Sequence, residues 1–166
     1  MPDITTPREL FLHELADILY VEEQLARDVL PQLIEEVQHD EFRRGLEQHL
    51  NETRTHVAKV KQVFETLGET PETEQCIGFE GLKREKQKLT SEISDSLIDS
   101  VNTGAAARTE HYEIAAYTGL IEMARALGEQ EVVSMLDENL KQEKEALRQV
   151  ESVEKTIRDE IKAGAV

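Results

Sequence analysis

The chain has 166 residues, 39% of them hydrophobic, which suits one domain with a core of its own. Its 35 acidic residues outnumber the 19 basic ones, and the net charge of −16 repels nucleic-acid phosphates while attracting cations. No run approaches the roughly 18 apolar residues of a membrane-spanning helix, and the first residues lack signal-peptide features. We therefore expect a cytoplasmic protein with neither a nucleic-acid nor a membrane partner.

The first predicted helix, helix A, covers about residues 7–38. It begins at Thr6-Pro7-Arg8-Glu9, where Thr6 is the expected N-cap, Pro7 suits the first helical position, and Glu9 completes a capping box. Apolar residues follow at helical spacing. Pro31 is expected to kink or interrupt the last turns of this helix.

Helix B is predicted over about 40–67, with Asp40 as its cap and Gly68 as its stop. The connection from helix A is short, so the two helices should form an antiparallel hairpin. A long connection over 68–93 follows, and its polar segment around Leu82–Leu89 is expected to form a short crossover helix.

Helix C is predicted over about 95–127, and Gly128 ends it. Helix D is predicted over about 129–161 and forms the second hairpin with helix C. Two helical hairpins joined by one long crossover are typical of an all-α, ferritin-like four-helix bundle. The whole chain, 1–166, is thus expected to be a single domain.

Four glutamates, one on each predicted helix, fall on the apolar stripes. They are Glu22, Glu52, Glu113 and Glu143. Glu22 and Glu52 are 30 residues apart (52 − 22), and Glu113 and Glu143 are also 30 apart (143 − 113), so the two hairpins look equivalent. Burying an unpaired carboxylate costs several kcal/mol. A core that receives four carboxylates therefore predicts bound cations.

Other polar side chains share these helix faces. Glu110 lies one turn before Glu113, and His56 lies four residues after Glu52 on the same side of helix B. Candidates for an outer role around the metal ions are His49, His111, Tyr20 and Tyr117. Carboxylates with one or two imidazoles and no thiolate favour iron or manganese, although zinc can also bind such ligands.

Three phrases of the sequence resemble the YciE/YciF ferritin-like family. They are residues 110–117 (EHYEIAAY), 49–53 (HLNET) and 76–82 (CIGFEGL). The resemblance covers nearly the whole chain. It implies a ferritin-like fold, a homodimer, a di-iron or di-manganese site and an association with bacterial stress responses.

The sequence departs from the general ferritin pattern, in which Glu-x-x-His occurs on two helices. Helix D carries Ala146 and Leu147 where a second histidine is expected, so the ferritin pattern does not identify the second terminal ligand. Glu110 could take the place of this histidine. The pair Glu110 and Glu113 would then resemble the paired glutamates on the corresponding helix of rubrerythrins. Bridging roles then fall to Glu52 or Glu113 and to Glu143, and terminal roles fall to Glu22, His56 and Glu110.

The leading functional hypothesis is a protein that holds two iron ions per chain and oxidises Fe(II) with dioxygen or peroxide. Peroxide dismutation of the manganese-catalase type is an alternative that the same ligands could support. The alternative from a different class is a non-catalytic, dimeric stress or interaction protein whose buried acids are protonated or paired with basic side chains.

Overall fold

The computed structural model describes residues 4–164, and most of them are helical. The α-helices are α1 (Pro7–Gln24), α2 (Leu30–Glu36), α3 (Asp40–Thr66), α4 (Ile77–Thr90), α5 (Ile98–Leu127) and α6 (Gln130–Lys162). A π-helical turn, Leu25–Val29, joins α1 to α2, and a 3₁₀ turn, Asp95–Leu97, precedes α5. Within residues 4–164 no β-strand is present.

The predicted helix A corresponds to α1, the π-helical turn and α2, which form one continuous run. Pro31 has no N–H, and its ring would clash with the carbonyl group four residues earlier in a regular α-helix. The chain accommodates it in a wider turn, in which the Leu30 N–H donates to the Leu25 carbonyl. Pro31 is thus associated with a local change of helix type just after Glu22.

The predicted cap of the first helix is present, but that of the second is wrong. The Glu9 N–H donates to Thr6 Oγ1 (3.2 Å) and the Thr6 N–H donates to Glu9 Oε2 (2.8 Å), so the capping box is complete. At the start of α3 the N-cap is His39, whose Nδ1 accepts from the Phe42 N–H. Asp40 is already helical, and its carboxylate pairs with Arg43.

Asp99, at the start of α5, fixes the turn between α2 and α3. Its carboxylate accepts hydrogen bonds from the backbone N–H groups of Gln38 (3.0 Å) and His39 (2.8 Å). We expect Asp99→Ala to lower the free energy of unfolding by about 1–2 kcal/mol because these donors lose their acceptor. Chemical denaturation measures this, with Asp95→Ala as control; equal stability of the two variants would contradict the prediction.

The crossover helix α4 is longer than predicted and begins at Ile77. Cys76 caps it, since its Sγ accepts from the Phe79 N–H (3.3 Å), and the buried Phe79 anchors the first turn to the core. Cys76 itself is almost fully buried. The helix passes close to α5 at Gly78, where an added Cβ would lie 3.0 Å from the Tyr112 ring.

The long helices form a four-helix bundle in which neighbours follow the order α1, α3, α6, α5, and α4 packs on α5. Helix α5 ends at Gly128, as predicted, with a φ of 81° that favours glycine. Across residues 4–164 no helix has the length and apolar character needed to cross a bilayer. Polar and charged side chains interrupt the apolar core near its middle.

Candidate metal centre

Two groups of buried ligand-type side chains meet inside the bundle. One group contains His49, Glu110, Glu113 and Glu143, and the other contains Glu22, His56 and Glu143. In each group, one nitrogen or carboxylate oxygen from every member lies within 4.8 Å of the others. The four helices α1, α3, α5 and α6 all contribute, so the arrangement depends on the complete bundle.

Glu143 belongs to both groups and lies between them. Its Oε1 is 2.8 Å from Nδ1 of His56, and its Oε2 is 3.8 Å from Nε2 of His49. On one side, Nδ1 of His56 is also 3.3 Å from Oε1 of Glu22; on the other, Nε2 of His49 is 3.3 Å from Oε1 of Glu110. The two oxygens of one carboxylate therefore face two separate sets of ligands.

Helical periodicity explains why these residues converge. His49 and His56 are seven residues apart on α3, so they share one face at two levels separated by about 10 Å along the axis. On α5, Glu110 and Glu113 are three apart and face the same interior. Glu143 approaches from α6 at the intervening level, which lets it reach both histidines.

The carboxylates are buried without enough hydrogen-bond partners. Glu22, Glu113 and Glu143 are 0% exposed, and neither oxygen of Glu113 has a partner among the described residues. The second oxygens of Glu22 and Glu110 also lack a partner in the described part of the chain. Because such groups are costly unless they are neutralised or bound to a cation, this donor set fits hard divalent metal ions.

The electrostatics of the metal-free protein reflect this crowding. Burial, together with the neighbouring carboxylates, raises the pKa of Glu113 well above its ordinary value. Burial likewise raises the pKa of Glu110, although His49 opposes the shift, and it raises the pKa of Glu22 against the influence of His56. Protons therefore neutralise part of the site when no cation does.

In the two histidines and Glu143, by contrast, the neighbouring groups stabilise the charged form of the side chain. Burial alone would lower the pKa of His49, but Glu110, Glu52 and Glu143 raise it to about 9. Burial also opposes the charge on His56, yet the carboxylates of Glu143 and Glu22 beside its Nδ1 raise its pKa to about 11. Although burial disfavours its charge, Glu143 has a lowered pKa because His56 and His49 stabilise the carboxylate.

These shifts predict that the metal-free protein loses stability as the pH rises from neutral. The folded pKa of His49, about 9, exceeds its ordinary value of 6.5. Its contribution is therefore complete below pH 6.5 and disappears as the pH rises through 9. Thermal unfolding of metal-free protein between pH 6.5 and 9.5 measures the loss. A flat profile, or an equal slope in His49→Gln, would contradict the assignment.

Three polar side chains orient the group around His56. Gln142 Oε1 lies 2.7 Å from His56 Nε2, which assigns the proton to Nε2 in the neutral ring and directs Nδ1 toward Glu22 and Glu143. The Tyr117 hydroxyl donates to Glu22 Oε1 and accepts from Asn139 Nδ2 (3.0 Å). Partners of this kind fix the orientation of metal ligands.

The predicted site residues do not all meet. Glu52 is a quarter exposed, accepts from Gln48 Nε2 (2.9 Å), and lies 3.8 Å from His49 Nδ1, outside both ligand groups. His111 is exposed to solvent. The Tyr20 hydroxyl donates to Glu80 of α4 (2.7 Å), and its predicted outer role around the metal ions stays a prediction.

The second imidazole comes from α3 rather than from α6. The ferritin pattern places the second histidine where this chain has Ala146 and Leu147, and the sequence analysis gives His49 only an outer role. The structure instead places His49 directly among the carboxylates. The seven-residue interval from His49 to His56 is the signal that could have identified it. Gln142 and Asn139, adjacent to Glu143 along the chain and along the helix face, were also missed.

A polar cavity of about 430 Å³ connects this site with the surface between α3 and α6. His49 and Glu110 lie at its inner end, and Arg44, Gln48 and Gln149 contribute to its walls. It offers small polar molecules and ions a route to the group that contains His49.

Comparison with known proteins agrees with the fold. Residues 6–162 match the family model described as a domain of unknown function, DUF892. YciF of Escherichia coli is 30% identical over 144 residues, 86% of each chain. The structure of YcfI from Rhodopseudomonas palustris is 37% identical and has a TM-score of 0.87, with 90% of this chain and 95% of that chain covered.

The structure of the Escherichia coli stress protein YciF also superposes with a TM-score of 0.87, at 26% identity, over 94% of this chain and 99% of that one. The resemblance to the YciE/YciF family and the predicted ferritin-like bundle are thereby confirmed. The chain belongs to the DUF892 family.

Proposed function

We propose that this protein holds two iron ions per chain and oxidises Fe(II) with dioxygen or peroxide. The observation that carries the proposal is the position of Glu143, a buried carboxylate whose two oxygens face two separate groups of ligands. One carboxylate shared by two cation sites is what a two-metal centre requires.

The ligand sets assign one ion to each group. His49, Glu110 and Glu113 would hold one ion, Glu22 and His56 would hold the other, and Glu143 would contact both. Ligands of this type, rich in carboxylate and free of thiolate, favour iron or manganese, although zinc can compete. Bound iron would supply one-electron oxidation and reduction, which no side chain of the site supplies by itself.

Charge balance supports two divalent ions rather than one. Glu22, Glu110, Glu113 and Glu143 carry four negative charges when ionised, and two divalent cations carry four positive charges. Glu110 and Glu113, whose raised pKa values keep protons on them in the metal-free state, release those protons when a cation arrives. His56 must likewise release the proton at Nδ1, and its hydrogen bond to Gln142 keeps that nitrogen directed at the site.

The surroundings support chemistry with a small oxidant. The bundle excludes water from Glu22, Glu113 and Glu143, while the polar cavity admits small molecules to His49 and Glu110. Since the Escherichia coli relative is described as a stress protein, we further propose a role in a bacterial stress response. The predicted homodimer stays a prediction, which light scattering of the purified protein tests.

Stopped-flow spectroscopy of iron oxidation tests the proposal. Protein loaded anaerobically with Fe(II) is mixed with dioxygen or with peroxide, and the formation of Fe(III) is followed by absorbance. We expect oxidation far faster than that of free Fe(II) at the same pH, and its loss in Glu113→Ala and Glu143→Ala. Glu151→Ala, an exposed change on α6, is the matched control. Oxidation no faster than in buffer would reject the proposal.

One observation favours a non-catalytic bundle as the second candidate. His49 and His56 lie within ion-pair distance of Glu110, Glu22 and Glu143, so protonated imidazoles can neutralise part of the buried charge without a metal. In this case chelating agents would leave the unfolding temperature unchanged. A lower unfolding temperature after chelation would instead support the metal centre.

A further inference from the structure

The imidazole of His49 faces carboxylates at both of its nitrogens. On the inner side, Nε2 lies 3.3 Å from Glu110 Oε1 and 3.8 Å from Glu143 Oε2. On the outer side, Nδ1 lies 3.8 Å from Oε2 of Glu52, about one turn further along α3. His49 is 5% exposed, and its Nδ1 has no hydrogen-bond partner among the described residues. The ring therefore separates the buried ligands from a carboxylate that reaches solvent.

A second contact holds Glu52 in this orientation. Its Oε1 accepts a hydrogen bond from Gln48 Nε2 (2.9 Å), which leaves Oε2 as the oxygen that faces the ring of His49. Gln48 also forms part of the wall of the polar cavity. His49 and Glu52 are three residues apart, a spacing at which side chains on a helix meet. Glu52 is thus placed to accept a hydrogen bond from the outer nitrogen of His49.

A cation at the inner nitrogen of His49 would fix the position of the ring proton. A neutral imidazole carries one proton, so a cation at Nε2 leaves that proton on Nδ1. A buried N–H group without an acceptor is costly, and 3.8 Å is too long for a hydrogen bond. Such contacts are often long in ligand-free sites and shorten when the site is filled. Glu52 supplies the acceptor by a small movement of a partly exposed side chain.

The other imidazole has the same arrangement with an uncharged partner. His56 directs Nδ1 toward Glu22 and Glu143, and its Nε2 lies 2.7 Å from Gln142 Oε1. The outer partner is therefore an amide for His56 and a carboxylate for His49. A carboxylate partner raises the basicity of a ligating imidazole, and an uncharged acceptor does so less. The two imidazoles would thus donate unequally to the ions that they bind.

We propose that Glu52 positions His49 by accepting a hydrogen bond from its Nδ1, and that its charge makes an ion at His49 easier to oxidise than an ion at His56. Glu52 is then not a ligand itself, which agrees with its place outside both ligand groups. The inference rests on the proposed two-ion centre, but the binding of a probe metal tests it without any oxidation.

Anaerobic titration of the metal-free protein with Co(II), whose visible spectrum reports its ligands, tests the positioning. We expect Glu52→Ala to weaken the binding of one of two ions by about 10- to 100-fold and to leave the other unchanged. Glu52→Gln keeps an oxygen acceptor for Nδ1 and should retain most of the affinity. Glu47→Ala, an exposed change on α3, is the matched control and should bind cobalt as the unchanged protein does. Because Glu52 is a quarter exposed, its truncation leaves no buried cavity.

The reduction potentials of the iron-loaded protein test the effect of the charge. Glu52→Gln removes the charge and keeps the acceptor, so we expect the lower of the two potentials to rise. Gln142→Glu, the converse change beside His56, should lower the higher one. Glu47→Gln loses the same charge at an exposed position of α3 and should move neither. A role in folding alone predicts unchanged potentials in Glu52→Gln and Gln142→Glu, and that result overturns the inference.

The two proposals can fail separately. Full cobalt affinity in Glu52→Ala overturns the inference and leaves the proposed function standing. Conversely, cobalt binding that Glu52→Ala weakens and Glu52→Gln restores, in a protein that does not oxidise Fe(II), supports the positioning role and rejects the proposed function.

Discussion

Replacing Glu143 by glutamine should abolish binding at both metal positions, because this carboxylate is the ligand that the two groups share. The change preserves the shape of the side chain, removes its charge and replaces one acceptor oxygen with an NH₂ donor. It also takes from His56 its nearest carboxylate, at 2.8 Å, so we expect the free energy of unfolding of the metal-free variant to fall by about 3 kcal/mol. Anaerobic titration with Fe(II) should change from about two ions per chain to none.

Glu151→Gln is the control for this variant, since Glu151 is exposed on the same helix. It should bind iron and unfold as the unchanged protein does. If Glu143→Gln still bound two ions with unchanged affinity, Glu143 would not be a shared ligand, and the two groups would not form one centre.

Glu113→Met should have opposite effects on the metal-free and the metal-loaded protein. Glu113 is fully buried, and neither of its carboxylate oxygens has a hydrogen-bond partner within residues 4–164. An apolar side chain of similar size removes this cost, so we expect the metal-free variant to be more stable by about 2 kcal/mol. Since the variant lacks a ligand, adding Fe(II) or Mn(II) should stabilise it much less than it stabilises the unchanged protein.

Denaturant unfolding with and without metal, under anaerobic conditions, measures both effects. Glu122→Met, an exposed change on α5, is the matched control and should alter neither. A metal-free Glu113→Met variant less stable than the unchanged protein would show that the carboxylate contributes to the fold itself. Equal stabilisation of both proteins by metal would remove Glu113 from the ligand set.

The course of the helices could be predicted from the sequence because it depends on local signals. The Thr6–Glu9 capping box and Gly128 have direct geometric consequences, and the structure shows both. The start of α4 was missed because it depends on a tertiary contact, the burial of Phe79, and on a thiol cap at Cys76. The π-helical turn before Pro31 was expected only as an interruption.

Predicting the site requires the rotation of each helix about its own axis, which the sequence determines less closely than the ends of the helices. His49 and His56 differ by about 20° around α3, whereas Glu52 lies about 60° from His49. This rotation of about 60° places His49 inside the site and leaves Glu52 partly exposed. The spacing of the apolar residues on α3 does not define the rotation of the helix closely enough to distinguish the two positions. The equal 30-residue intervals favoured Glu52, but the packing of α3 against α6 brings His49 toward Glu143 instead.

Side chains that contact the crossover were the hardest to place. Tyr20 lies two residues before Glu22, yet its hydroxyl faces α4 and binds Glu80. Tyr117 is on a different helix from Glu22 and reaches it across the bundle. For Tyr20, closeness to Glu22 along the sequence therefore did not mean contact. For Tyr117, its position on the interior face of α5 was the correct indication.

Diffraction from crystals of iron-loaded protein, recorded on both sides of the iron absorption edge, tests the central claim most directly. We expect two anomalous peaks per chain, one among His49, Glu110 and Glu113 and one between Glu22 and His56, with Glu143 between the peaks. Absence of both peaks in crystals grown with excess iron, with Glu143 still paired to His56, would contradict the metal centre.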